Sequence, residues 1–130
     1  MQIFCFIYIP GSSSETTVVA TRCEFANSQD GVRVYDSLSS AKFNNYVFND
    51  NYGKGIYVAG ATIHLHGDAT AIHSNGMFGI RAVNSGKVRI HLPSHHNTFY
   101  NNGEEDRSTI YGGTITNEKI KEEENNCHYF

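Results

Sequence analysis

The chain has 130 residues, a formal net charge of −3 and 39% hydrophobic residues, enough for one domain with a modest core. It has no run of Lys or Arg, which excludes an electrostatic grip on nucleic acid. Cys5, Cys23 and Cys127 are far apart and lack C-x-x-C spacing, so neither a disulfide framework nor a cysteine zinc site is expected.

Gly is frequent at 12, Pro scarce at 2, and the aromatic residues are Tyr and Phe without Trp, a balance suited to short strands and tight turns. Residues 1–10, MQIFCFIYIP, are the most apolar stretch. That stretch is too short to cross a bilayer and lacks the basic start and cleavage site of a secretory signal. It reads as an added strand or cap, and GSSSET after it as a turn-rich joint, so residues 1–16 form an N-terminal unit.

Residues 17–117 carry a repeat. First strands are predicted at residues 18–20, 42–44, 62–66, 87–91 and 114–116. Within them apolar residues alternate: Ile63 and Leu65 against His64 and His66, Val88 and Ile90 against Lys87, Arg89 and His91. Gly31, Gly55 and Gly79 are 24 residues apart, and each opens a second strand. Asn27, Asn51 and Asn75 stand four residues before those glycines, after the apolar Phe25, Phe48 and Ile72, and a looser copy follows at Phe99. A period of about 24 residues marks a solenoid, whose single repeat cannot bury its apolar side alone. Stacking would place Val32, Ile56 and Ile80 in one inward column and Val34, Val58 and Ala82 in another. Asn27, Asn51 and Asn75 would form an amide ladder, with the glycines relieving crowding or supplying positive φ. Residues 93–96 and 104–108 read as irregular insertions, and residues 118–130 as a charged tail, solvated or forming one short helix.

The pattern F-x-x-N-x-x-x-G-[I/V]-x-V resembles the right-handed parallel β-helix repeat of the pectin-lyase-like superfamily over residues 17–117. The resemblance implies an all-β parallel β-helix of about four short coils, which is short for that superfamily. A module of this size is expected to belong to a larger chain or assembly. The first repeat is one residue shorter between Phe25 and Asn27 than its equivalents. The N-T-D, G-H-G and R-I-K motifs of polygalacturonases are missing, and Arg89-Ile90-His91 is only superficially like the last.

Two outward faces are candidate sites. His64, His66 and His91, with Arg89 between them, form a histidine face; it reads first as a solvated polar face, and the alternative is a zinc or copper site of three imidazoles with Asp68 nearby. His66 and His91 are 25 residues apart, so a one-residue slip would turn one of them inward. Arg33, Tyr57 and Arg81 form a ladder fit to grip carboxylates and stack on sugar rings. The expectation is a non-enzymatic binding module for polysaccharide or protein, with no cofactor or metal ligand assigned and no nucleic-acid or membrane partner. The alternative is a polysaccharide lyase or epimerase, although Asp30, Asp36, Asp50, Asp68 and Asp106 are scattered.

Overall fold

A computed structural model of the chain describes residues 7–9, 15–67, 70–92 and 98–119. Twelve strands follow one another among them: β1 (Ile7–Ile9), β2 (Thr16–Ala26), β3 (Val32–Tyr35), β4 (Ser39–Asn49), β5 (Ile56–Ala59), β6 (Thr62–His66), β7 (Ala71–His73), β8 (Phe78–Val83), β9 (Lys87–Leu92), β10 (Thr98–Tyr100), β11 (Glu105–Ile110) and β12 (Thr114–Lys119). Every pairing between them is parallel. One sheet runs β1-β3-β5-β8-β11, and the other holds the remaining seven strands. The chain is a parallel β-solenoid of about four turns. Ile7–Ile9, from the apolar N-terminal stretch, adds a strand beside β3.

The second sheet bends. Residues 40–44 of β4 pair with β6, and residues 47–49 pair with β7. Asn45, between the two halves, has φ +53°, and Arg22 of β2 (φ +56°) and Gly67 (φ +108°) stand on either side of it in the stack. The coils of β3–β4, β5–β7 and β8–β10 therefore each present three strand faces, and the corner beside Asn45 is built from residues in the left-handed region.

Alternation fills the interior. Val32, Ile56 and Ile80 form one fully buried column, Val34, Val58 and Ala82 a second, and Phe43, Leu65 and Ile90 a third. Phe25, Phe48, Ile72 and Phe99 make a fourth. The Phe25 and Phe48 rings stack at 4.8 Å, with Phe43 edge-on to both. Each buried Val, Leu, Ile or Phe contributes roughly 1.5–3 kcal/mol, which only stacking makes available.

The amide ladder exists with one change of membership. Asn51 Nδ2 donates to Asn75 Oδ1 (2.9 Å), and Asn75 Nδ2 donates to Asn102 Oδ1 (3.0 Å). The same amides also donate to the carbonyls of Phe25, Phe48 and Ile72. Asn27 is not in this column, contrary to the expectation above. Phe25 pairs with Phe48, so the residue opposite Asn51 is Ser28, whose backbone N–H donates to Asn51 Oδ1 (3.1 Å). Asn27 stands with Asp50, Ser74 and Asn101 instead, all at φ between +55° and +60°. The short first repeat causes the shift, because counting back from Gly31 lands one residue before the true ladder position. The glycines serve close approach: a Cβ on Gly55 would lie 2.7 Å from the Gly79 carbonyl oxygen and 3.0 Å from Asn75 Nδ2.

Residues 104–108 are not an irregular insertion. From Glu105 they belong to β11, where Arg107 pairs with Ile80 and so takes an inward position. Its guanidinium lies 4.8 Å over the Phe99 ring and donates to Asn117 Oδ1 (3.4 Å). The sequence shows no apolar alternation across this strand, which hid it. Pro93, Ser94, His95 and His96 lie outside the described residues, as do Asp68, Cys5 and Cys127.

Candidate functional site

Parallel in-register pairing places equivalent outward side chains one strand apart, about 4.8 Å. On the face made by β4, β6, β9 and β12, Lys42 pairs with His64 and His64 with Arg89. Asn44 pairs with His66. Leu65 pairs with Ile90, so the next outward position brings His66 beside His91, and His91 pairs in turn with Glu118. The 25-residue offset holds from Thr62–Lys87 to Leu65–Ile90, and the His66 and His91 rings meet one position further on, so no slip turns a histidine inward.

The three imidazoles touch. His66 and His91 lie parallel, with centroids 4.1 Å apart and planes 3° from one another. His64 and His91 are 5.2 Å apart, and His64 Nδ1 shares a hydrogen bond of 2.9 Å with His91 Nε2, one ring donating and the other accepting. One ring nitrogen from each of the three lies within 4.8 Å of the other two. Arg89 Nε stands 3.5 Å from Glu118 Oε1 across the same face.

Each of these histidines has its pKa lowered. Half-burial is the largest cause for His66, which is pushed down to about 4, followed by His91, Lys42 and His64. Burial also leads for His64, with His91, Arg89 and Lys42 lowering it further and Glu118 acting in the opposite sense. For His91, burial is opposed by Glu118 and reinforced by Arg89 and Lys42. The rings are therefore neutral near pH 7, each with one nitrogen lone pair.

The other candidate face lies on the first sheet. Arg33 pairs with Tyr57, Tyr57 with Arg81, and Arg81 with Ser108. Arg33 Nε donates to the buried Asp30 carboxylate at 2.6 Å, while the other Asp30 oxygen accepts from the Lys54 backbone N–H. Arg81 lies 4.6 Å over the Phe78 ring and donates to Ser108 Oγ (3.2 Å). Lys54 Nζ stands 5.0 Å over the Tyr57 ring. Beside Arg33 an open depression is lined by Asn27, Ser28, Gln29, Arg33 and Tyr52, whose side chain is 73% exposed.

The seven residues singled out in the sequence thus fall into two groups on separate sheets: His64, His66, Arg89 and His91 on one, Arg33, Tyr57 and Arg81 on the other. Glu118 was missed, because it was assigned to the charged tail. Continuing the alternation of Thr114 and Thr116 by two residues would have found it. Tyr52 and Gln29 carry no periodic signal. Comparison of the chain with protein-family models, curated proteins and solved structures returns no match.

Proposed function

We propose that the chain is a non-enzymatic β-helix module of the pectin-lyase-like kind that binds acidic carbohydrate along the Arg33–Tyr57–Arg81 column. The observation that carries this reading is the in-register placement of the three side chains on one outward face. A cation, an aromatic ring and a second cation spaced by one strand each match a polymer that alternates carboxylates with apolar sugar faces. Asp30 and Phe78 hold the two guanidiniums in place, which reduces the ordering entropy that binding must overcome. Tyr52 and the Gln29 and Asn27 amides extend the same surface with the chemistry used for neutral hydroxyls.

A non-enzymatic reading is favoured because the described aspartates are dispersed and engaged. Asp30 holds Arg33 and Lys54, Asp36 accepts from the Leu38 N–H, Asp50 from Asn49, and Asp106 from Asn102. A lyase of this architecture would cluster such groups around its metal or base. The test is calorimetric titration with oligogalacturonate and a neutral oligosaccharide of equal length. Binding of the acidic ligand should weaken with salt and fall at least about fivefold in Arg81→Ala and Tyr57→Ala. Equal binding of both ligands, or unchanged affinity in the variants, would refute the reading. Release of unsaturated product from the polymer would establish the lyase alternative.

A further inference from the structure

We infer that His64, His66 and His91 form a binding site for one divalent transition-metal ion of the zinc or copper class. The site lies on the other sheet from the carbohydrate face and is independent of it.

The geometry comes first. Three imidazoles from two adjacent strands converge so that one nitrogen of each lies within 4.8 Å of the others. A tetrahedral ion with metal–nitrogen bonds of about 2.0–2.1 Å requires ligand nitrogens about 3.3–3.4 Å apart. His64 Nδ1 and His91 Nε2 now stand at 2.9 Å, so this pair must open by about 0.4 Å, and the stacked His66 and His91 rings must rotate out of parallel to turn their in-plane lone pairs onto one ion. In the apo chain the two nitrogens share one proton in their hydrogen bond. When the ion enters, the donating ring moves that proton to its other nitrogen, and both facing nitrogens present lone pairs. No proton is lost, and one N–H···N bond is exchanged for metal–nitrogen bonds.

The surrounding charges set the strength. Glu118, beside His91, favours a cation. Lys42 and Arg89, beside His64, oppose it. Arg89 is offset by its pairing with Glu118, and the exposed Lys42 can swing its ammonium into solvent. Imidazole ligands alone select zinc, copper or nickel over calcium and magnesium, which take oxygen donors. The three rings are solvent-accessible on the outer face, so the fourth coordination position is open to water or an anion.

The experiment is calorimetric titration of the full chain with zinc chloride, paired with electron paramagnetic resonance of the copper(II) form. One ion per chain is expected, bound tighter than about 100 μM, with hyperfine structure from three imidazole nitrogens. His66→Ala should weaken zinc at least about tenfold and reduce the copper pattern to two nitrogens. His73→Ala, on β7 and stacked against Tyr100, should change neither. Lys42→Ala should tighten binding by a few fold and Glu118→Gln should weaken it. Far-ultraviolet circular dichroism checks that each variant keeps its strand content. Absence of such binding, or binding unaltered by His66→Ala, overturns the inference; the latter would place the ion on other side chains. A histidine stack that only supports the sheet would lower the melting temperature in His66→Ala without any zinc response, and that too overturns it.

Discussion

The middle coils and the last described coil share one backbone register but differ in what they place inside. Val32, Ile56 and Ile80 continue into Arg107, Val34, Val58 and Ala82 into Thr109, and Leu65 and Ile90 into Asn117. A middle coil has a neighbour on each side, so an apolar inward side chain is covered from both directions. The last described coil covers its neighbour from one side. There Arg107, at the inward position opposite Ile80, takes its guanidinium to Phe99 and Asn117. Strand pairing thus continues further than apolar stacking in these three columns, while Ile63 and Val88 continue into the apolar Ile115.

The largest effect should come from the centre of that comparison. Ile56→Ala empties the middle of a fully buried column and should cost about 2–5 kcal/mol in urea unfolding, whereas Ile115→Ala, partly buried on the last coil, should cost no more than about half as much. Equal costs would mean that the ends are as tightly packed as the middle.

Next come the amides. Asn75→Ala removes bonds to Asn51, Asn102 and the Phe48 carbonyl and should cost about 2–3 kcal/mol, against roughly 1 kcal/mol for Asn102→Ala nearer the end. Thermal unfolding of the pair checks the ranking. Arg107→Leu should leave stability within about 1 kcal/mol, because Leu keeps an apolar side chain at the inward position opposite Ile80; a larger loss in thermal unfolding would show that the contacts with Phe99 and Asn117 carry more.

The smallest expected effect is a pH dependence on the outer face. The folded-state pKa of His66, about 4, lies below the reference near 6.5, so between those values the unfolded chain binds more protons. Stability therefore rises with pH through this window and is lost on acidification. Melting temperatures of the metal-free chain should fall from about pH 6.5 downward, and His66→Asn should flatten the fall above about pH 4.5, where carboxylates add little.

Much of this architecture is visible in the order of residues. Phe25, Phe48, Ile72 and Phe99 announce their column, and Val32, Ile56 and Ile80 theirs, because parallel stacking turns coil length into sequence period. The glycines mark where one coil's backbone closes on the next. The histidine cluster was half visible: alternation places His64, His66 and His91 on outward positions, but their mutual contact depends on a coil offset that is not constant. It is 23 residues between β2 and β4, 22 between β4 and β6, 25 between β6 and β9 and 27 between β9 and β12. The same drift exchanged Asn27 for Ser28.

By itself, then, the sequence determined which side chains face in and which face out within each strand, since that follows from a local two-residue alternation. It also determined that the strands stack, since no single coil can bury its apolar side. Only the tertiary structure decided which residue meets which across coils. That depends on how many residues each turn consumes, and a turn's length is set by the left-handed corners and the close carbonyl contacts that form when the next coil is already in place. The fold tolerates one or two residues more or less in a turn, but each changes the partners of every outward side chain that follows until another turn restores the count.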